Sequence, residues 1–181
     1  MQAYIDWLEA SGARVVPLLT TDDISVNQEK LTKLNGVLFP GGDTDYLDLG
    51  NYIYNYAIEE NDAGRFYPIW GTCLGFENLA IFASDSKSPL SNLESDGHSL
   101  ILNFYEDPFK TGMFSLSDDP HYYEQEAMTY NSHSFGLSPD VFKTDKGLSK
   151  MFTPTSWSHD EESGDTFVAS MESADYPFYA T

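Results

Sequence analysis

An apolar strand that runs into Gly-x-Cys-x-Gly and straight on into a helix leaves a chain few ways to fold. Residues 67–83 carry that arrangement: Tyr67-Pro68-Ile69-Trp70 reads as the strand, Gly71-Thr72-Cys73-Leu74-Gly75 as the turn, and Leu74 to Ala83 as the helix. The pattern is the thiol counterpart of the G-x-S-x-G nucleophile elbow. A nucleophile at a sharp strand-to-helix turn needs a strained backbone. Flanking glycines remove the Cβ atoms that would strike the neighbouring strand and helix. The turn sets the sulfur at a helix N-terminus, where the positive end of the dipole favours a thiolate. It also turns the Leu74 amide toward the same space as one oxyanion donor. Cys73 is therefore the candidate nucleophile; the competing reading is a small, inert, buried thiol.

The rest of the first half fits the same architecture. Ala3 to Ala10 reads as an amphipathic helix, with Ile5 and Leu8, and Tyr4 and Trp7, at helical spacing and Gly12 as its C-terminal cap. Val15 to Leu19, interrupted by Pro17, reads as a short strand, and Asp22 to Leu34 as a loop and a short helix. Gly36 to Phe39 is a second buried strand, stopped by Pro40-Gly41-Gly42, and Leu47 to Ala63 is a longer helix closed by Gly64. Strands that alternate with helices, and that are continuously apolar, predict a parallel sheet covered on both faces. In the second half Ser84 to Asp96 reads as loop and Ser99 to Phe104 as a strand. Met151 to Ser158 and Thr166 to Glu172 form an antiparallel hairpin around the acidic turn at 160–165, and Tyr176 to Tyr179 starts another strand. The expected fold class is α/β: a doubly wound, mostly parallel sheet with an antiparallel hairpin at one edge, in one domain over residues 1–181.

Composition narrows the partners. Nine basic against twenty-nine acidic residues give a formal charge of −20, which repels phosphate backbones and anionic lipid. Nucleic acid and membrane surfaces are therefore excluded as expected partners. No apolar run approaches a membrane span, and no secretory signal is visible at Met1. With one cysteine there is no internal disulfide and no Cys-based zinc site; neither a metal nor an organic cofactor is expected.

Two further features bear on chemistry. Phe39-Pro40-Gly41-Gly42-Asp43 ends a buried strand in two glycines, a loop whose amides can approach a ligand closely and supply a second oxyanion donor. A thiol nucleophile also needs a base, and the chain has four histidines: His98, His121, His133 and His159. His98 follows Asp96-Gly97 in what reads as a loop, while His121 and His159 sit among acidic residues and read as solvated. Spacing alone selects none of them.

Three segments carry a resemblance: Ser11-Gly12-Ala13-Arg14-Val15-Val16-Pro17, Asn35-Gly36-Val37-Leu38-Phe39-Pro40-Gly41-Gly42 and Pro68-Ile69-Trp70-Gly71-Thr72-Cys73-Leu74-Gly75-Phe76-Glu77. They resemble gamma-glutamyl hydrolases of the class I glutamine amidotransferase-like superfamily. Weaker likeness continues in order through Leu102-Asn103-Phe104, Gly112-Met113-Phe114, Asn131-Ser132-His133 and Ser170-Met171-Glu172 to Tyr176-Pro177-Phe178-Tyr179. The resemblance implies a cysteine hydrolase that cleaves gamma-linked glutamate from folate poly-gamma-glutamates through a thioester, in lysosomes, vacuoles or secretions. It implies Cys73 as nucleophile, Gly42 and Leu74 amides as the oxyanion hole, His133 as an auxiliary group, and Gly41, Gly42 and His133 as substrate-binding residues. A homodimer or a place in a larger assembly is a further expectation.

The family's catalytic histidine lies in a W-H-P-E motif shortly after the Tyr-Pro-x-Tyr segment, and its first strand precedes the helix containing Tyr4. Neither is among these 181 residues, so the expectation is a domain truncated at both ends that does not turn over substrate efficiently as given. Two other classes stay open: a non-catalytic relative with a binding role in a complex, and a glutaminase domain of an amidotransferase. Phe76-Glu77 argues against the last, because glutaminases carry G-x-C-x-G-x-Q.

Overall fold

The computed structural model describes residues 2–86 and 88–181, the side chain of residue 94 excepted. Met1 and Lys87, the latter inside the stretch read as loop, lie outside the described residues. The helices are α1 (Gln2–Ala10), α2 (Ile24–Leu31), α3 (Leu47–Asp62), α4 (Leu74–Ala83), α5 (Tyr122–Gln125), α6 (Val141–Thr144) and α7 (Lys146–Met151). The strands are β1 (Val37–Phe39), β2 (Ile69–Gly71), β3 (Ser91–Leu100), β4 (Asn103–Phe104), β5 (Thr129–Gly136), β6 (Thr153–His159), β7 (Thr166–Glu172) and β8 (Phe178–Ala180).

Six strands form one mixed sheet in the order β1-β2-β8-β7-β6-β4. β1, β2 and β8 are parallel, and β8, β7, β6 and β4 continue antiparallel to the far edge. The β6–β7 hairpin thus extends the parallel part, as the acidic turn between two apolar runs predicts. β3 and β5 pair separately as an antiparallel ribbon.

Period-2 alternation puts the two faces of β2 under different cover. Ile69 is fully buried, and a side chain on Gly71 would meet Leu79 of α4. Trp70 points the other way and packs against Trp7 of α1, ring centroids 5.6 Å apart. Helices therefore cover both faces, as a doubly wound sheet requires. α4 packs on β1, β2 and β8, with α3 and α7 against its flank. Leu31, Ile69, Leu79, Leu148, Met171 and Phe178 make the fully buried centre, each contributing about 1.5–3 kcal/mol by its removal from water. Among the described residues, no helix is long and apolar enough to cross a membrane.

Three readings need correction. Val15–Leu19 is irregular rather than a strand. Pro17 has no N–H to give a ladder, and side chains of α2 take the carbonyls instead: Lys30 Nζ donates to Pro17 O at 2.9 Å and Asn27 Nδ2 to Leu19 O at 2.8 Å. The stretch Ser84–Asp96 is not all loop, because β3 starts at Ser91, and Ser99–Phe104 is divided between the end of β3 and β4.

Candidate active site

The elbow is built as its glycines demand. Cys73 has φ 55° and ψ −115°, and it is the one non-glycine residue with positive φ among the described residues. A side chain held there stores about 1–3 kcal/mol of backbone strain. A Cβ on Gly75 would sit 2.1 Å from the Phe39 carbonyl oxygen, and one on Gly71 would sit 2.7 Å from the Gly75 oxygen. Both positions therefore exclude any side chain, and β1, β2 and α4 converge on Cys73.

Backbone hydrogen bonds hold the turn from both sides. The Thr72 amide donates to Phe39 O at 3.0 Å and the Cys73 amide to Thr181 O at 2.8 Å, while the Thr181 amide donates to Gly71 O at 2.9 Å. Trp70 Nε1 donates to Thr72 Oγ1 at 2.9 Å and fixes the residue before Cys73. Cys73 itself is exposed. The Leu74 amide opens α4 and belongs to the first turn, which has no carbonyl four residues back to bond.

The Pro-Gly-Gly loop closes on the same point. A Cβ on Gly41 would lie 2.8 Å from Cys73 Cβ and 3.3 Å from its sulfur. Only glycine lets the loop come this close. Gly42 has φ +132°, a conformation glycine alone adopts without strain, with open space around it. The Gly41 amide is occupied: it donates to the Tyr4 hydroxyl oxygen at 2.9 Å. Tyr4 thus stands at the site, its phenol left with one hydrogen to donate. Its position in a helical pattern carried no sign of this, because the bond joins residues 37 apart.

Two more groups face the elbow. Glu77, in the first turn of α4, has its carboxyl pushed up by burial, and its amide donates to Cys73 O at 3.0 Å. Tyr46 donates its hydroxyl to Pro40 O at 2.7 Å, and its own ionisation is pushed up by burial and by the neighbouring Cys73, Tyr4 and Glu77. Gly41, Cys73 and the N-terminus of α4 therefore lie together, with Gly42 next in the loop and Tyr4, Tyr46 and Glu77 beside them.

The histidines take their ring partners elsewhere. His133 lies on β5, with Nδ1 3.1 Å from Leu93 O and its ring edge-on to Phe167 at 4.6 Å. Burial lowers its pKa, favouring the neutral imidazole. His98 pairs with Asp160, His121 with Glu124 and His159 with Thr166. His121 is solvated as read; His98 belongs to a strand and a buried cluster rather than a loop. Among the described residues no group of His, Cys, Asp and Glu is arranged to hold a metal.

No family model matches the chain. Among solved structures, a chain provisionally named as a GMP synthase component of Thermoplasma acidophilum shares 16% identity at a TM-score of 0.48, over 84% of this chain and 64% of that one. Curated relatives are nearer. A gamma-glutamyl hydrolase of Mus musculus is 34% identical over 98% of this chain, that of Homo sapiens 32% over 98%, and gamma-glutamyl hydrolase B of Dictyostelium discoideum 32% over 99%. The chain covers 57%, 57% and 54% of those relatives, so it spans somewhat more than half their length. Over nearly the whole of its own length, this chain is a homologue of the gamma-glutamyl hydrolases.

Proposed function

We propose that this chain carries the nucleophile of a cysteine-type hydrolase that cleaves the gamma-glutamyl bonds of folate poly-gamma-glutamates. The observation that carries the reading is Cys73, held at positive φ at the head of α4 with Gly41 against its side chain. Its sulfur would attack the gamma-carbonyl carbon, forming a C–S bond while the carbonyl π electrons move to oxygen. The amides of Leu74 and Gly42 are the candidate donors for that oxyanion. Collapse breaks the C–N bond and releases the amine, which takes up a proton. Water then cleaves the thioester, giving the free gamma-carboxylate and the thiol. Gly41, Gly42 and His133 are assigned to substrate binding. A lysosomal, vacuolar or extracellular setting accords with an acidic surface of −20, whose self-repulsion eases as carboxylates protonate.

A second reading, a non-catalytic relative that binds without turnover, is favoured by one observation: the ring hydrogen bonds of the four histidines go to Asp160, Glu124, Leu93 and Thr166 rather than to Cys73. An activated gamma-glutamyl ester separates the two, because its leaving group needs no proton. Mass spectrometry is expected to find Cys73 acylated far faster than free glutathione, and Cys73→Ser unlabelled. Labelling no faster than glutathione overturns the nucleophile assignment. Acylation followed by glutamate release supports the hydrolase.

A further inference from the structure

Asp160 opens the acidic turn between β6 and β7, yet in the fold it is 1% exposed. Its carboxylate is fully used. Oδ2 accepts from Ser95 Oγ at 2.5 Å and lies 2.7 Å from His98 Nδ1; Oδ1 accepts from the amides of Glu162 at 2.9 Å and Ser163 at 3.4 Å. Ser95 and His98 belong to β3, whose ribbon pairs with no strand of the main sheet. One carboxylate therefore ties the β3–β5 ribbon to the β6–β7 turn.

The geometry of β3 is shaped for this. Residues three apart on a regular strand point to opposite faces. Here the register with β5 slips between Asp96 and His98, and Gly97 adopts φ +83°. The bulge turns Ser95 and His98 to one side, where a single acceptor reaches both. Ser95 is also the register partner of His133 across the ribbon, and Leu93 supplies the carbonyl beside His133 Nδ1.

We propose that Asp160, Ser95 and His98 form an acid-closed clasp that locks the β3–β5 ribbon to the β6–β7 turn and sets the position of His133. The contacts of the clasp stand on geometry, and the raised affinity of His98 for its proton gives their pH dependence; any bearing of His133 on turnover rests on the hydrolase reading above. The groups facing His98 are Asp160 and Glu162 (Oε2 3.3 Å from Nε2) in the turn and Asp96 on its own strand. Asn131 of β5 contributes only a neutral amide, and Asp160 and Asp165 also act on the neighbouring His133. The hydrogen bond to Asp160 comes first in raising His98 above its ordinary 6.5, and the Asp160, Glu162 and Asp96 charges add to it against desolvation. A raised histidine lends stability that is complete below 6.5 and lost as pH climbs through the folded value. Asp160 is held well below the carboxylate range by the His98 bond first, then Ser95 and the two amides, so its share persists down through mild acid. The clasp is closed in mild acid and loosens toward neutral and alkaline pH.

Hydrogen exchange on the whole chain tests this. Between pH 5.5 and 8, corrected for intrinsic rates, amides of residues 91–100 and 129–136 are expected to lose about tenfold protection relative to those of β1, β2 and β8. In His98→Gln, chosen because the ring is only partly buried, that step is expected to vanish. Protection of the wild-type ribbon that is flat with pH, or a step that survives in His98→Gln, overturns the clasp. If Cys73 is not acylated by the activated gamma-glutamyl ester, the hydrolase reading fails while exchange still decides the clasp.

Discussion

Gly75→Ala is the sharpest perturbation of the elbow. In an ordinary helix the change stabilises by about 1 kcal/mol, because glycine pays the larger backbone entropy. Here the new methyl would lie 2.1 Å from Phe39 O, 2.7 Å from Phe39 C and 2.8 Å from Phe39 Cβ. None is the far end of a flexible side chain, so α4 or β1 must retreat by about 1 Å to reach ordinary van der Waals separation. Overpacking against a backbone that cannot swing away costs about 3 kcal/mol. The net expectation is a loss of about 2 kcal/mol, or about 4–8 °C in Tm for a chain of this size. Phe39 O also accepts the Thr72 amide at 3.0 Å, so the retreat displaces the residue next to Cys73. Acylation of Cys73 by an activated gamma-glutamyl ester should slow by about a hundredfold, the scale of a 1 Å misplacement. Gly12→Ala is the control for conformation without contact: φ is +87° and nothing lies within 4 Å of the added Cβ, so it should lose about 1 kcal/mol and leave acylation unchanged. Urea denaturation showing Gly75→Ala as stable as wild type would refute the packing argument.

The strain at Cys73 makes a second prediction: Cys73→Gly should be more stable than Cys73→Ala by about 1 kcal/mol in urea, because alanine keeps the positive φ that glycine relieves. Equal stabilities would show that the turn relaxes around alanine. Glu77→Gln tests burial of the carboxyl in the first turn after Cys73. A raised folded pKa means Glu77 contributes full stability below 4.5 and loses it as pH rises through the folded value. The glutamine variant should therefore gain on wild type at pH 7 relative to pH 4, and a pH-independent difference in unfolding free energy counts against the assignment.

What the sequence made legible is what sterics enforce locally. Gly71, Gly75 and Gly41 stand where a Cβ would strike backbone or the Cys73 side chain, so the elbow and its facing loop show in the residue types. α4 and β7 have the bounds that their apolar runs suggest. The β3–β5 ribbon was hidden because Ser91–Leu100 and Thr129–Gly136 are mostly polar and the ladder slips twice, which erases the alternation that marks a strand. Long-range side-chain bonds left no local trace either. Tyr4 reaching Gly41, and Asp160 drawing Ser95 and His98 together, depend on elements brought side by side by the rest of the chain.

The place of β8 between β2 and β7 has a consequence for the order of assembly. β8 follows the other seven strands in sequence but is third in the sheet, so a chain emerging N-terminus first makes both flanking strands before the one that joins them. Until β8 inserts, the parallel and antiparallel parts share no ladder, and the Cys73 amide lacks its acceptor at Thr181. The thiol therefore reaches its poised geometry only once the sheet is joined. Until β8 has been synthesised the nascent chain exposes two open strand edges, and in that interval it depends most on protection from aggregation.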